Sequence, residues 1–275
     1  MSTDHPFIYI SALPRTGSTL LSEALSRVPH AFIFNEPHLG KNYFAVQEHD
    51  ASILRPEGVD LFAFRRKHLA IGFILRRFRW LGISQDYFLS VFRRELVPTL
   101  LIAVKQLGVK EIKHTGWENY LKHFPEMVVV FLGRDPRDIY LSYYRLWRTG
   151  VVSWREPFNP ATLAEFFLRE FSLQLALMDA CPTIIVKYED FCTRPACLEE
   201  IKAFTKSEIP VSGSIGSFVS QHPARKFEQE THRGVISGKS VFRWKKERDA
   251  ALLDQSHQFF EKVSDYARFW GYTTD

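Results

Sequence analysis

A turn rich in glycine and hydroxyl side chains lies near the start of the chain, between an apolar run and a helix-like pattern. It comprises residues 14–20 (PRTGSTL) and follows the apolar run 7–10. A turn that enters a helix directs unpaired backbone N–H groups and the positive end of the helix dipole at one point, where an anion binds. Gly17 permits a close backbone approach, and Arg15 adds a permanent charge. The turn also supplies the hydroxyl groups of Thr16, Ser18 and Thr19.

Two alternatives to this interpretation of the turn need to be compared with its sequence. A Ser/Thr/Gly-rich segment before a helix also serves as an ordinary N-cap without any ligand. A Walker A loop would read GxxxxGK[ST], but here Ser18 follows Gly17 and the cation, Arg15, precedes the glycine. The turn therefore disfavours an ordinary ATPase or kinase.

A second candidate anion site follows the apolar run 127–133 and reads RDPRDIYLSYY (134–144). Asp135 before Pro136 is typical of a helix start, with the carboxylate as N-cap and proline at the first helical position. Ser142 lies eight residues after Arg134, which is about two helical turns, so both side chains can reach one oxyanion. In the alternative, Arg134 pairs with Asp138 and Ser142 only faces a neighbouring helix.

The elements that would position these residues alternate between apolar runs and helical patterns. Five runs predict strands, at 7–11, 31–34, 109–113, 127–133 and 183–187. This alternation predicts an α/β fold, a P-loop-like three-layer sandwich with a central parallel sheet flanked by helices. Ligands of such sheets bind beyond the carboxyl ends of the strands, where both candidate turns lie. We expect a single domain over 1–275, with a helical insertion at about 50–107 on the acceptor side.

Composition limits the class of protein. The chain has 275 residues, 45% hydrophobic and 15% aromatic, which suffices for a sizeable core, and its net charge of +5 suits an anionic ligand. No apolar run reaches the roughly 20 residues that span a bilayer, and no signal-peptide pattern precedes the first strand, so we expect a cytoplasmic protein. The three cysteines and ten histidines show no metal-ligand spacing, and we expect no metal.

Together, PRTGSTLL (14–21) and RDPRDIYLSYY (134–144) closely resemble the 5′-phosphosulfate and 3′-phosphate motifs of the sulfotransferase family that uses 3′-phosphoadenosine 5′-phosphosulfate (PAPS). VKYEDF (186–191) and FRWKKE (242–247) also fit that family, so the resemblance spans nearly the whole chain. It favours the bacterial, small-molecule branch with a PRSG-type turn. It implies transfer of a sulfuryl group from PAPS to a hydroxyl, in preference to an amine, with 3′-phosphoadenosine 5′-phosphate (PAP) as the product and no metal.

The resemblance also implies roles for individual residues. Arg134 and Ser142 would hold the 3′-phosphate, and Tyr188 would lie near the adenine. The 5′-phosphosulfate would be held by Arg15, Thr16, Gly17, Ser18 and Thr19. A loop at 233–240 stands where the family has a further 3′-phosphate contact, although its spacing departs from the usual pattern. Its candidate residues are Arg233, Lys239 and Ser240.

Sulfuryl transfer needs a base for the acceptor proton and cations at the oxygen where leaving-group charge grows. Glu36, just after the second predicted strand, is similar to the carboxylate base of the PRSG-type branches. A histidine base, as in the cytosolic branch, remains an alternative, with His38, His114 and His123 as candidates. Lys113 resembles the strand-end lysine that lies against the sulfate. Arg15 would act by charge and hydrogen bonding, since arginine does not give up its proton.

Two rival functions and the acceptor remain open at this stage. A nucleotide-dependent phosphotransferase would need the GK[ST] turn that is missing here. A non-catalytic nucleotide-binding or membrane-associated module is suggested by the basic and aromatic segment 62–94. We expect a small-molecule acceptor with some apolar or planar surface, because Trp147, Trp154 and Phe158 lie in one candidate acceptor loop, and we expect no nucleic-acid partner. The sequence does not indicate an oligomeric state.

Overall fold

The protein is described by a computed structural model. It describes residues 5–77, 86–148, 158–210, 238 and 241–274, except for the side chains of residues 75 and 76. No described helix is both long enough and apolar enough to cross a membrane.

Five parallel strands form a central sheet in the order β2-β3-β1-β4-β5. The strands are β1 (Ile8–Ala12), β2 (Ala31–Asn35), β3 (Gln106–Glu111), β4 (Val128–Gly133) and β5 (Thr183–Lys187). The five predicted strands and the parallel sheet are confirmed. The largest boundary error concerns β3, which we expected to end at Lys113. It begins three residues earlier than predicted, at Gln106, and ends two residues earlier than predicted, where its pairing with β1 stops at the Ser11–Glu111 pair.

Helices cover both faces of the sheet, which confirms the three-layer sandwich. They are α1 (Ser18–Ala24), α2 (Glu48–Leu54), α3 (Leu61–Arg77), α4 (Tyr87–Val91), α5 (Val97–Ala103), α6 (Trp117–His123), α7 (Pro136–Arg148), α8 (Pro160–Ala180), α9 (Tyr188–Thr193), α10 (Pro195–Thr205), α11 (Ala250–Lys262) and α12 (Ser264–Phe269). A π-helical turn, Phe92–Leu96, joins α4 to α5, and a 3₁₀ turn, Arg243–Lys246, precedes α11. Helices α2 to α5 all lie between β2 and β3 in the chain.

The apolar strands are explained by burial on both faces. Alternate residues of β1 enter different cores: Tyr9 belongs to one, while Ile8 and Ile10 belong to the other. Residues of α1 and α10 complete the second core, and aromatic residues of α4, α8 and α11 help to fill the first. A parallel strand covered on both sides must be apolar throughout, which is why its sequence shows no alternation.

The turn after β1 is shaped by one glycine. Gly17 has φ +92°, and a Cβ atom at this position would collide with the ring of Tyr188, the first residue of α9. A residue with a side chain would therefore meet both backbone strain and a steric clash. The turn also contains a hydrogen bond of 2.7 Å from the Thr16 hydroxyl to the carbonyl of Leu13.

The turn after β4 is fixed by two buried carboxylates. Asp135 caps α7 as predicted, since its Oδ1 accepts a 2.9 Å hydrogen bond from the N–H of Arg137. Its Oδ2 accepts from the indole of Trp244 at 3.1 Å, and Asp138 Oδ1 accepts from the backbone N–H of Trp244 at 3.0 Å. The C-terminal 3₁₀ turn is thereby attached to the end of β4.

Substitution of Gly17 tests how tightly the first turn is held against α9. Gly58→Ala is the matched control, because Gly58 also has positive φ, +80°, but nothing lies within 4 Å of its added Cβ. We expect Gly58→Ala to lower the free energy of unfolding by about 1 kcal/mol, from strain alone. Gly17→Ala should lower it by at least about 2 kcal/mol more, because the Tyr188 ring must move. Urea unfolding measures both, and equal losses would contradict this packing.

Candidate functional site

The turn at 13–17 and helix α7 meet through Arg15. Its Nε donates a 3.0 Å hydrogen bond to the hydroxyl of Ser142. Arg15 has φ +70°, an uncommon conformation for a residue with a side chain and one that is often found at functional sites. The structure thus brings the two predicted anion-binding segments into direct contact, which the sequence did not predict.

The N-terminus of α1 faces the same place. Gly17 occupies its N-cap position and has no side chain to accept from the N–H groups of the first turn. Those groups can therefore bind an anion, and the adjacent Thr19 carries a hydroxyl. Thr16 and Ser18 are buried, and Thr16 donates its hydroxyl proton within the turn.

Glu36 lies beside this turn and is paired with a buried lysine. Lys110 Nζ is 2.6 Å from Glu36 Oε1 and 3.5 Å from the hydroxyl of Thr19. The Lys110 side chain is 2% exposed, whereas that of Glu36 is 29% exposed. The backbone N–H of Glu36 also donates to the carbonyl of Lys110 at 2.7 Å, and Glu36 has φ +51°. This carboxylate is therefore held in place, with part of its surface exposed.

Lys110, rather than the expected Lys113, is the lysine placed at this carboxylate. Lys110 stands on β3 opposite Ile10 and Asn35, so strand pairing positions its backbone next to both the turn and Glu36. Lys113 follows the end of β3 and is exposed. Burial lowers the pKa of Lys41, and the charge of Lys113 adds to that lowering, which places Lys113 on the side of Lys41.

The three alternative bases differ in access. His114 is fully buried, its Nε2 is 3.0 Å from the hydroxyl of Ser11, and burial lowers its pKa. His123 is bound to Asp86, 2.9 Å away in the segment before α4. His38 keeps 23% of its side chain exposed, and its Nδ1 lies 2.8 Å from the buried carboxylate of Glu111. A carboxylate in that position orients the ring, so His38 is the histidine best placed to act as a base.

Arg134 is buried beside the turn, where two acceptors hold its guanidinium. Its NH2 group donates to Asp138 at 3.2 Å, and its NH1 group donates to the carbonyl of Arg15 at 3.1 Å. Its guanidinium lies 4.4 Å from the centre of the Tyr188 ring. Pairing with Asp138 is the alternative that the sequence left open, and it coexists with the contact to the Arg15 turn. Tyr188 is thus held between Gly17 and Arg134.

Arg243 is a candidate that residue-by-residue sequence reasoning missed. Burial lowers its pKa, and the neighbouring positive charge of Arg134 lowers it further. The preceding residue, Phe242, has φ +50°, while Trp244 is anchored to the carboxylates at the start of α7. Arg243 is half-buried and lies within electrostatic range of Arg134, and two such cations favour an anion between them. The FRWKKE string was a signal, but it did not distinguish Arg243 from its basic neighbours.

Tyr143 is a second residue that was missed. Burial raises the pKa of its phenol, the charge of Arg15 opposes that rise, and the charge of Glu36 adds to it. Its side chain therefore lies within electrostatic range of both groups. In sequence it was one of several aromatic residues of α7, with nothing to set it apart.

Some predicted residues fall outside the described part of the chain. These are Arg233, Lys239 and Ser240 of the C-terminal loop, and Trp154 of the candidate acceptor loop. Trp147 and Phe158 of that loop are described, and their rings stack with centres 5.9 Å apart. Among the described residues, no group of three or more His, Cys, Asp or Glu is arranged to hold a metal ion.

Comparison with solved structures shows which proteins share this fold. The sulfotransferase domain from the curacin biosynthetic pathway is 15% identical with a TM-score of 0.63, and the match covers 100% of both chains. The sulfotransferase domain of the Synechococcus PCC 7002 olefin synthase is 16% identical with a TM-score of 0.58, over 100% of this chain and 99% of that one. Mouse sulfotransferase SULT7A1, solved with PAP, is 13% identical with a TM-score of 0.51, over 98% and 89% of the two chains. At these identities the likeness concerns the fold.

Sequence comparison identifies the family. No curated protein matches the chain in sequence. A family model described as the sulfotransferase family matches residues 6–197, which include the turn after β1, the β3 lysine, the turn after β4 and Tyr188. This chain belongs to the sulfotransferase family.

Proposed function

We propose that the protein transfers a sulfuryl group from PAPS to a hydroxyl, in preference to an amine, of a small-molecule acceptor. The observation that carries the proposal is the contact between the two anion-binding segments, in which Arg15 binds Ser142 while Arg134 binds the Arg15 carbonyl. A donor with phosphate groups at the 3′ and 5′ positions of one ribose needs two adjacent anion sites. Sulfotransferase membership and a mouse neighbour solved with PAP support this donor. The cytoplasmic location expected from the sequence stays a prediction.

The residues divide into two sets along the proposed donor. Arg15, the first turn of α1 and Lys110 would hold the phosphosulfate end, where bound PAPS supplies a sulfuryl group activated by its bond to phosphate. The 3′-phosphate would lie near Ser142, Arg134 and Arg243. Tyr188 would lie near the adenine, since its ring packs against both Gly17 and Arg134.

Glu36 is proposed as the base. It takes the proton of the acceptor hydroxyl while the acceptor oxygen forms its bond to sulfur, and the bond from sulfur to the phosphate oxygen breaks. The electron pair of that bond remains on the leaving phosphate, where Lys110 and Arg15 stabilise the growing negative charge. Lys110 contacts both Glu36 and Thr19, so it links the proton acceptor to the phosphate turn. Tyr143 would help to position these groups.

We infer that the acceptor binds against aromatic residues at the C-terminal end of α7. Trp147 is 37% exposed, and its ring centre lies 5.8 Å from that of Tyr144, which precedes it by almost one turn of α7. Phe158 stacks on Trp147 from the start of the next segment. An acceptor alcohol with a planar or apolar portion fits such a surface.

Glu36→Gln tests the base. We expect kcat to fall by roughly 100-fold or more, because the amide takes no proton, while PAP affinity changes by less than about threefold. His38→Gln is the matched control and should retain most of kcat. A large loss in His38→Gln together with near-normal turnover in Glu36→Gln would assign the proton transfer to the His38–Glu111 pair instead.

Arg243→Gln tests the 3′-phosphate site. A charge-assisted hydrogen bond contributes about 1.5–3 kcal/mol, so PAP affinity should fall by roughly 10- to 100-fold, whereas affinity for adenosine 5′-phosphosulfate, which has no 3′-phosphate, should change little. Lys110→Met is the contrasting variant and should weaken binding of both PAP and adenosine 5′-phosphosulfate. Calorimetry measures each affinity, and equal losses of PAP and adenosine 5′-phosphosulfate in Arg243→Gln would contradict this placement.

A further inference from the structure

The C-terminal half of helix α3 distributes its residues in the reverse of the usual amphipathic pattern. Its inward stripe follows helical spacing and consists of Leu61, Phe64, His68 and Gly72, all buried. The second half of this stripe is thus a histidine and a glycine. His68 bonds Tyr87 at 2.9 Å and Glu95 at 3.1 Å, and Gly72 lets the helix backbone approach the ring of Phe88.

The outward face of the same half is apolar. Phe73 is 62% exposed, Ile74 53%, Ile71 48% and Leu69 43%. Nine large hydrophobic residues of the described chain are exposed, and four of them fall within these six positions of one helix. A soluble surface scatters such residues singly, so this concentration marks an interaction surface.

Cations border this apolar face. Arg66 and Lys67 lie before it, Arg77 lies after it, and all three are exposed. Arg66, Ala70, Phe73 and Arg77 follow spacings of four, three and four residues, which places them along one side of the helix. The sequence of α3 contains no acidic residue. Asp60 caps the start of the helix, and Glu95 is paired with Lys67 at 2.7 Å, at the N-terminal end of the face.

The cations at the ends of the apolar face favour a negatively charged partner. A second copy of this chain, which carries a net charge of +5, would bring Arg66 and Arg77 against the same cations. The surface is the convex side of a single helix, not a groove for a peptide. A lipid surface offers an apolar layer below a negative one, and the long side chains of Arg66 and Arg77 can reach headgroups while Phe73 and Ile74 enter the layer beneath.

We propose that the outer face of α3 binds the surface of a membrane that contains anionic lipid. The helix lies parallel to the bilayer plane, with Leu69, Ile71, Phe73 and Ile74 at the boundary between headgroups and acyl chains. This binding is peripheral and reversible, and none of the residues proposed to bind the donor or to take the acceptor proton lies on α3.

Sedimentation of the full chain with lipid vesicles tests the proposal. The probes are vesicles of phosphatidylcholine alone and vesicles in which about one third of the lipid is phosphatidylserine. We expect binding to the anionic vesicles to be at least about fivefold stronger, and to weaken several-fold in high salt. The double variant Phe73→Ser, Ile74→Ser should lose at least about 90% of the binding.

Two control variants and two control measurements accompany this test. Ile102→Ser removes a hydrophobic residue that is 88% exposed but lies alone on α5, and it should bind vesicles like the wild type. Arg66→Gln with Arg77→Gln should remove only the preference for anionic vesicles. All variants should keep the wild-type melting temperature and PAP affinity, since the changed residues are exposed and are not among those proposed to bind the nucleotide.

Failure of the wild type to sediment with anionic vesicles would overturn the proposal. So would wild-type binding by the Phe73→Ser, Ile74→Ser variant, or an equal loss of binding in Ile102→Ser. A dimer that dissociates in the double variant, without vesicle binding, would assign the surface to a second copy and likewise overturn it.

Discussion

Parallel pairing of β3, β1 and β4 is the constraint on which the site depends. Neighbouring parallel strands end at one edge of the sheet, so the segments that follow them must share that edge. Here the edge carries Lys110 near the end of β3, Arg15 after β1 and Arg134 after β4. Three cations that are far apart in sequence are thereby placed around one turn. Strand pairing alone brings them together, because each lies at or just after the end of its strand.

Such a concentration of positive charge must be balanced if the fold is to be stable. Glu36 balances Lys110, and Asp138 balances Arg134, both through direct hydrogen bonds. Asp138 also accepts from the backbone of Trp244, which brings Arg243 into the range of Arg134. The same carboxylate therefore offsets one cation and positions another. An anionic donor that enters between these cations would complete the balance, which explains how one site can be stable without ligand and still attract a nucleotide with several negative charges.

The sequence predicted the strands well because both faces of the sheet are buried, so each strand is a continuous apolar run bounded by polar residues. It also predicted the cap at Asp135, since that signal is local. Lys110 and Arg243 were missed for a different reason. Lys110 is one of two lysines in a short segment, and only its pairing opposite Ile10 and Asn35 shows which one meets Glu36. Arg243 is brought to Arg134 by hydrogen bonds between residues more than 100 positions apart, which no local pattern contains.

We infer that two adjacent anion sites hold a nucleotide with phosphate groups at its 3′ and 5′ positions. Calorimetric titration of the wild-type protein is the first measurement to make. The ligands are PAP, 5′-AMP and ATP, each without metal and then with Mg²⁺. We expect tight binding of PAP that does not require metal, with much weaker binding of 5′-AMP and ATP. A preference for ATP that depends on Mg²⁺ would contradict it and would indicate phosphoryl transfer instead.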